Sequence, residues 1–287
     1  MATPVLVAVD GSPGSLKALD FAVSEAALRH RPLVVYHTFI MPVDVPDFAI
    51  SSSPRYQEAT EDQRTAARRL VDAVVTRATD KKPGLPVTGE VADAIAAGAA
   101  IIERSADCEL VVVGSRGRGG FADLLLGSTS AQVAVHTHCP TVVVRPSQGE
   151  RGPYAGKVLV GVDDSSQSQP AVAFAFDEAS RRGVDLVAVH VTPRPVPGRT
   201  DAERLASEEA RMLSEALAGW QERYPDVTVA KVVRPGSPRR LLCELSAGAA
   251  LLAVGSHGRG GFTGMVFGST SLAVLHHARV PVAVVRR

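Results

Sequence analysis

The sequence predicts an α/β protein of two tandem doubly wound domains, each with helices covering a parallel sheet. Three observations carry that expectation. The chain repeats itself: aligning 107–146 on 248–287 gives 19 identities in 40 positions. Such self-similarity over a long offset marks a duplicated unit. Within each copy, apolar runs alternate with helical patterns, the signature of a strand–helix–strand fold. The apolar runs are nearly continuous Val, Leu, Ile and Ala, as expected of strands buried on both faces.

In the first copy, strands are expected near Val5–Val9, Leu33–Thr38, Val87–Val91, Leu110–Gly114 and Thr141–Arg145. Helices are expected near Ser15–Arg29, Arg55–Thr79, Ala94–Ser105 and Ser128–His136. The second helix carries Ala59, Ala66, Leu70, Val74 and Ala78, the last four at four-residue spacing, read as one buried stripe. Its counterpart carries Leu205, Met212, Leu213, Ala216 and Trp220. The copies also match at their starts, VLVAVDGSPGS from Val5 against VLVGVDDSSQS from Val158. That offset is 153 residues against 141 at the ends, so the second copy is 12 residues shorter in its middle. The shortening falls opposite the Pro- and Ser-rich Met41–Pro54 loop of the first. Domains are expected at 1–146 and 156–287, joined by a Pro-, Gly- and charge-rich linker.

Composition excludes several function classes. The chain has 287 residues, 45% hydrophobic and 21% charged, with a net charge of +1. No global field draws it to nucleic acid or to an anionic membrane surface. No apolar stretch reaches the roughly 18 residues of a membrane helix. The amino terminus enters a strand-like run directly and does not read as a signal peptide. Cys108, Cys139 and Cys243 are scattered and odd in number, as in a reducing compartment, so a cytoplasmic protein is expected.

The informative motif occurs twice. GSRGRGGFADLLLGSTS begins at Gly114 and GSHGRGGFTGMVFGSTS at Gly255. Each follows an apolar run and has the spacing G-x2-G-x9-G-S. A glycine-rich loop between a buried strand and a helix lets backbone wrap a phosphate. The loops run Gly114, Ser115, Arg116, Gly117, Arg118, Gly119, Gly120 and Gly255, Ser256, His257, Gly258, Arg259, Gly260, Gly261. Gly127, Ser128, Thr129 and Gly268, Ser269, Thr270 open the following helices, with Ser128 read as an N-cap. Asp10 and Asp163 end the first strand of each copy, facing the loops if strands one and four are neighbours. Each aspartate is placed to accept ribose hydroxyls or to reach a hydrated Mg2+. The adenine is expected against the ends of strands one to three, near Thr38, Val91, Val191 and Val232.

The spacing, with VAVDGS at the start and HCPTVVVR at the end, resembles the ATP-binding branch of the universal stress protein family in its tandem form. The resemblance covers nearly the whole chain. It implies an adenine nucleotide alpha hydrolase-like fold, with strand order 3-2-1-4-5 in each domain. It also implies one ATP per domain, with Mg2+, and pairing through the last strands. Carried over by position, Asp10, Gly114, Gly117, Gly127 and Ser128 form one site, joined by the backbone of Ala8. Asp163, Gly255, Gly258, Gly268 and Ser269 form the other, joined by Gly161. The copies differ where Arg116 stands against His257 and Gly11 against Asp164, so equal affinity does not follow.

The short strands Thr141–Arg145 and Val282–Arg286 read as edges that pair with another copy, as an internal pseudo-dimer or a homodimer. His136, His138, His276 and His277 read as cations at helix C-termini rather than metal ligands. His37 and His190 end strand two and are placed to line the crevice. No P-loop, no G-x-G-x-x-G after strand one and no H-x-G-H occurs. Neither glycine loop holds a lysine, and no base for water is evident, so turnover is expected to be slow or incidental. The expected role is a nucleotide-dependent regulator of stress or growth acting on an unidentified partner. The rivals are a slow ATPase or phosphotransferase and a structural protein with degenerate sites.

Overall fold

The structure is a computed structural model that describes residues 2–40, 54–118, 125–145, 152–163, 165, 168–194, 202–257 and 267–286. The chain divides into two compact units, Met1–Val144 and Arg145–Arg287.

In the first unit the elements run β1 (Val5–Ala8), α1 (Pro13–Arg29), β2 (Leu33–Ile40) and α2 (Pro54–Lys81). They continue with β3 (Val87–Ala94), α3 (Ala97–Arg104), β4 (Leu110–Gly114), α4 (Ser128–His136) and β5 (Thr141–Val144). The strand order is β3-β2-β1-β4-β5, and every pairing is parallel. The second unit repeats this with β6 (Val158–Val162), α5 (Gln169–Arg182), β7 (Leu186–Thr192) and α6 (Ala202–Arg223). Then follow β8 (Val229–Pro235), α7 (Pro238–Leu245), β9 (Leu251–Gly255), α8 (Ser269–His277) and β10 (Val282–Val285). Its order, β8-β7-β6-β9-β10, is again parallel throughout. Both units therefore have the order 3-2-1-4-5.

Burial explains why these segments are strands. Leu6, Leu33 and Leu110 in the first unit, and Leu159, Leu186 and Leu251 in the second, are fully buried. Each such side chain contributes about 1.5–3 kcal/mol relative to exposure. Helix α1 packs on β1 and β4, and α2 packs on β2 and β3. Helix α3 packs against α4.

Several details depart from the sequence expectation. Helix α1 begins at Pro13 because Ser12 caps it, its hydroxyl accepting from the Ser15 N–H at 3.1 Å. Strand β3 runs on to Ala94 because its pairing with β2 continues to Ile40, so α3 starts at Ala97. In α2 the buried residues are Ala67, Val71, Val74 and Ala78, whereas Ala59 and Ala66 are exposed. A strict four-residue spacing drifts around a helix of 3.6 residues per turn, so the true stripe shifts position.

The cysteines are free thiols; Cys108 is buried and the other two half-buried. Burial pushes the Cys108 thiol up to about 11 and Cys139 to about 12, so both stay protonated. The cationic histidine expected at the end of the last helix is disfavoured at His276, whose pKa burial lowers first and His277 second.

Candidate nucleotide-binding clefts

Strand order places β1 between β2 and β4, and the chain turns in opposite directions from these two strands. The crevice beyond their carboxyl ends is the general ligand position in such folds. In the first unit that crevice is built around Asp10, the second residue past β1. The backbone N–H of Ser12 donates to its Oδ1 at 2.9 Å, and that of Arg118 donates to its Oδ2 at 2.7 Å. Burial pushes the Asp10 carboxyl up, but hydrogen bonds from Ser12, Arg118 and Ser15 outweigh it. They hold the group below its ordinary 3.8. It is an anion at neutral pH, tied to both sides of the crevice.

The glycines are explained by close approach. A β-carbon on Gly114 would sit 2.8 Å from the backbone of Gly14, in the first turn of α1. One on Gly14 would sit 2.6 Å from the Arg116 carbonyl. One on Gly117 would run into the Asp10 carboxylate. The glycine loop and the β1–α1 turn are therefore in backbone contact, and side chains at these positions would force them apart.

The far wall is the start of α4. The Gly127 N–H donates to the Ser115 carbonyl at 2.8 Å, and the Ser130 hydroxyl donates to the Gly114 carbonyl at 2.6 Å. The N-cap is Gly127, at φ −73° and ψ 150°, and not Ser128, which is the first helical residue. A glycine can adopt the extended cap while the hydroxyl of Ser130 ties the turn to β4. The first-turn N–H groups have no intrahelical acceptor and face the loop end, a favourable place for negative charge. The resulting cleft has a volume of about 570 Å³.

The second unit keeps much of this frame. The Gly268 N–H donates to Ser256 at 2.8 Å and the Ser271 hydroxyl donates to Gly255 at 2.6 Å. Gly268 is again the N-cap. Asp163 accepts from the Ser165 N–H at 3.1 Å and from the Ser165 hydroxyl at 2.5 Å. The His257 ring Nδ1 lies 3.0 Å from the Ser256 hydroxyl. This cleft is smaller, about 230 Å³.

Of the residues expected from sequence, Ala8, Asp10, Thr38, Gly114, Arg116, Gly117, Arg118, Gly127, Ser128 and Thr129 line the first cleft. Gly161, Asp163, Val191, Gly255, His257, Gly268, Ser269 and Thr270 line the second. Ser115 and Ser256 are buried behind the loops rather than lining them. Val91 and Val232 are among the lining residues of neither cleft. They are also not equivalent: Val91 pairs with His37, whereas the partner of His190 is Val233. Because neighbouring strand residues face opposite sides, that one-residue slip changes the face. Gly119, Gly120, Gly258, Arg259, Gly260 and Gly261 lie outside the described residues.

His37 and His190 line their clefts, each with ring Nδ1 against a carbonyl past or at the end of the first strand. The distances are 2.6 Å to Val9 and 2.8 Å to Val162. His190 also meets Glu209 at 2.9 Å. Unanticipated lining residues include Tyr36 and Ile101 in the first cleft and Leu242 and Phe267 in the second. Ile101 and Leu242 share the 141-residue offset of the glycine motif, which is the signal that could have found them. Among the described residues, no group of three metal-ligating side chains occurs and no helix is long and apolar enough to cross a membrane.

Comparison with known proteins agrees with this architecture. The model of the universal stress protein family matches residues 1–145 and again 155–286. A universal stress protein of Mycobacterium tuberculosis strain H37Rv is 42% identical over 292 residues, covering 99% of this chain and 97% of its own. One from Mycolicibacterium smegmatis is 41% identical over 289 residues, covering 98% and 96%. The crystal structure of a universal stress protein from Archaeoglobus fulgidus superposes with a TM-score of 0.68 at 21% identity, over 99% of this chain and 96% of that one. The doubled strand order, the doubled glycine loop and these full-length matches agree that the chain belongs to the universal stress protein family.

Proposed function

We propose that this protein is an adenine-nucleotide-binding regulator, with ATP the ligand for which the first cleft is built. The observation that carries the reading is the Asp10 carboxylate held by the Arg118 N–H beside Gly117, opposite the open N-terminus of α4. A phosphate chain would lie between the glycine loop and the first turn of α4, where N–H groups and the helix dipole favour anions. Ribose hydroxyls would donate to Asp10, and the base would lie towards Tyr36, Thr38 and Ile101, which line the inner end. A Mg2+ carried by the phosphates would find hard oxygen donors in Asp10 and Ser128, the ligand type it prefers.

Among the described lining residues of either cleft there is no lysine, so the donors support occupancy rather than phosphoryl transfer as the signal. Occupancy would bias the conformation of the loops and so the affinity for a regulatory partner in the cytoplasm. Pairing of copies through β5 and β10, the last strand in each unit's order, belongs to the same proposal. Light scattering with and without nucleotide checks it.

The decisive experiment is mass spectrometry of small molecules released on denaturing the purified protein, followed by calorimetric titration with Mg·ATP. ATP or another adenine nucleotide is expected in the extract. Gly117→Ala, which drives a methyl group into Asp10, is expected to weaken the first site about tenfold or more, roughly 1.4 kcal/mol. No nucleotide released and no heat on titration would overturn the proposal.

A further inference from the structure

The two clefts differ in a way that specifies different ligands. The first has a volume of about 570 Å³ and the second about 230 Å³. Small-molecule sites commonly span about 300–1,000 Å³, so the second lies just below that range. Described side chains account for the narrowing. Ala97 of the first cleft is replaced by the bulkier Pro238. Leu126, buried in the first unit and absent from its cleft wall, is replaced by Phe267, which lines the second cleft. The ring of Phe267 enters beside Gly268, at the phosphate end of the site.

Charge changes in the same direction. Asp10 and Arg116 line the first cleft, where Asp163 and His257 line the second. The fixed guanidinium charge of Arg116 is therefore replaced by an imidazole. Each added phosphate brings negative charge, so it gains more attraction beside Arg116 than beside His257. Less room and less positive charge at the same end both select a shorter phosphate tail.

We infer that the first cleft selects a nucleoside triphosphate, whereas the second takes a nucleoside mono- or diphosphate at least as well. This rests on the reading of both clefts as adenine-nucleotide sites. A chain with such a pair would respond to the ratio of triphosphate to its breakdown products rather than to one concentration.

The test is calorimetric titration of the full chain with ATP, ADP and AMP in Mg2+. In Gly117→Ala protein, the remaining site is expected to bind ATP and AMP within about threefold of each other, whereas the first site of the unmodified chain prefers ATP by about tenfold or more. Should Gly117→Ala not fold, the double variant His257→Arg, Phe267→Leu serves. It is expected to raise ATP affinity at the second site about tenfold while leaving AMP affinity within about threefold. A remaining site that prefers ATP tenfold, or a double variant with unchanged ATP affinity, would overturn the inference while leaving nucleotide binding intact. No binding of any adenine nucleotide by the unmodified chain would overturn the proposed function and this inference with it.

Discussion

In the first unit Ser12 caps a helix that begins at Pro13. In the second unit the matching serine is Ser165, yet the helix begins only at Gln169, with Ser168 as its cap. Gly14, whose β-carbon would press on the Arg116 carbonyl, is replaced in the second copy by Gln167. A residue with a side chain has no room at Gly14 in the first unit. The other wall has not diverged. The Gly127–Ser115 and Gly268–Ser256 bonds are both 2.8 Å, and the Ser130–Gly114 and Ser271–Gly255 bonds are both 2.6 Å. The two units share the bonding at the starts of α4 and α8 and differ in where the helix after the strand-one aspartate begins. The comparison teaches that the glycine motif fixes the helix start beside each cleft, while the first helix of each unit begins at its own point.

That comparison can be broken at several levels. The largest effect is expected in the cores. Leu6 and Leu159 occupy the same place in β1 and β6, and both are fully buried. Leu6→Ala and Leu159→Ala should each cost about 2–5 kcal/mol in denaturant unfolding. A clear inequality would mean the units are not equivalent frames. Next come the paired serine ties. Ser130→Ala and Ser271→Ala each remove a buried hydrogen bond to a strand-end carbonyl and should each cost about 1–3 kcal/mol. A loss in one unit alone would break the claim that this wall is conserved.

A smaller effect, of opposite sign, is expected at the end of α1. His30 takes the left-handed conformation at φ 52°, where the second unit has Gly183 at φ 63°. A side chain strains that conformation, so His30→Gly should stabilise the first unit by about 0.5–1 kcal/mol, after the entropy of a more flexible unfolded chain is deducted. Thermal melting decides this, and a lower melting temperature would count against it. The smallest effect concerns acid. Asp10 has a folded pKa below 3.8, so its stabilisation is fully present above pH 3.8 and is lost as pH falls through the folded value. Asp10→Asn should therefore flatten the stability profile below pH 3.8 and leave its slope near neutrality unchanged. An altered slope at pH 6–8 would contradict this assignment.

Much of this was legible in the sequence because it rests on repetition and spacing. The offset of 141 residues found both glycine loops, both helix starts and the strands that flank them. Parallel burial on both faces was legible in runs such as LVVVG and LLAVG. The lost detail depends on geometry that a linear pattern does not carry. Gly14 matters because a loop 100 residues away crosses it. Ser128 has the chemistry of a cap, but the turn bonded to Ser115 moves the cap back to Gly127. The slip between Val91 and Val232 came from assuming one offset across a region that had lost residues; strand pairing gives Val233 as the true partner. Phe267 sits inside the motif, yet only its presence in the cleft wall gives it meaning.

The account stands most directly on a calorimetric titration of the unmodified full-length chain with Mg·ATP, repeated on Gly117→Ala. It predicts two binding events per chain of unequal affinity, the tighter one lost or strongly weakened by the substitution. No heat, or a single event that Gly117→Ala leaves unchanged, would contradict it.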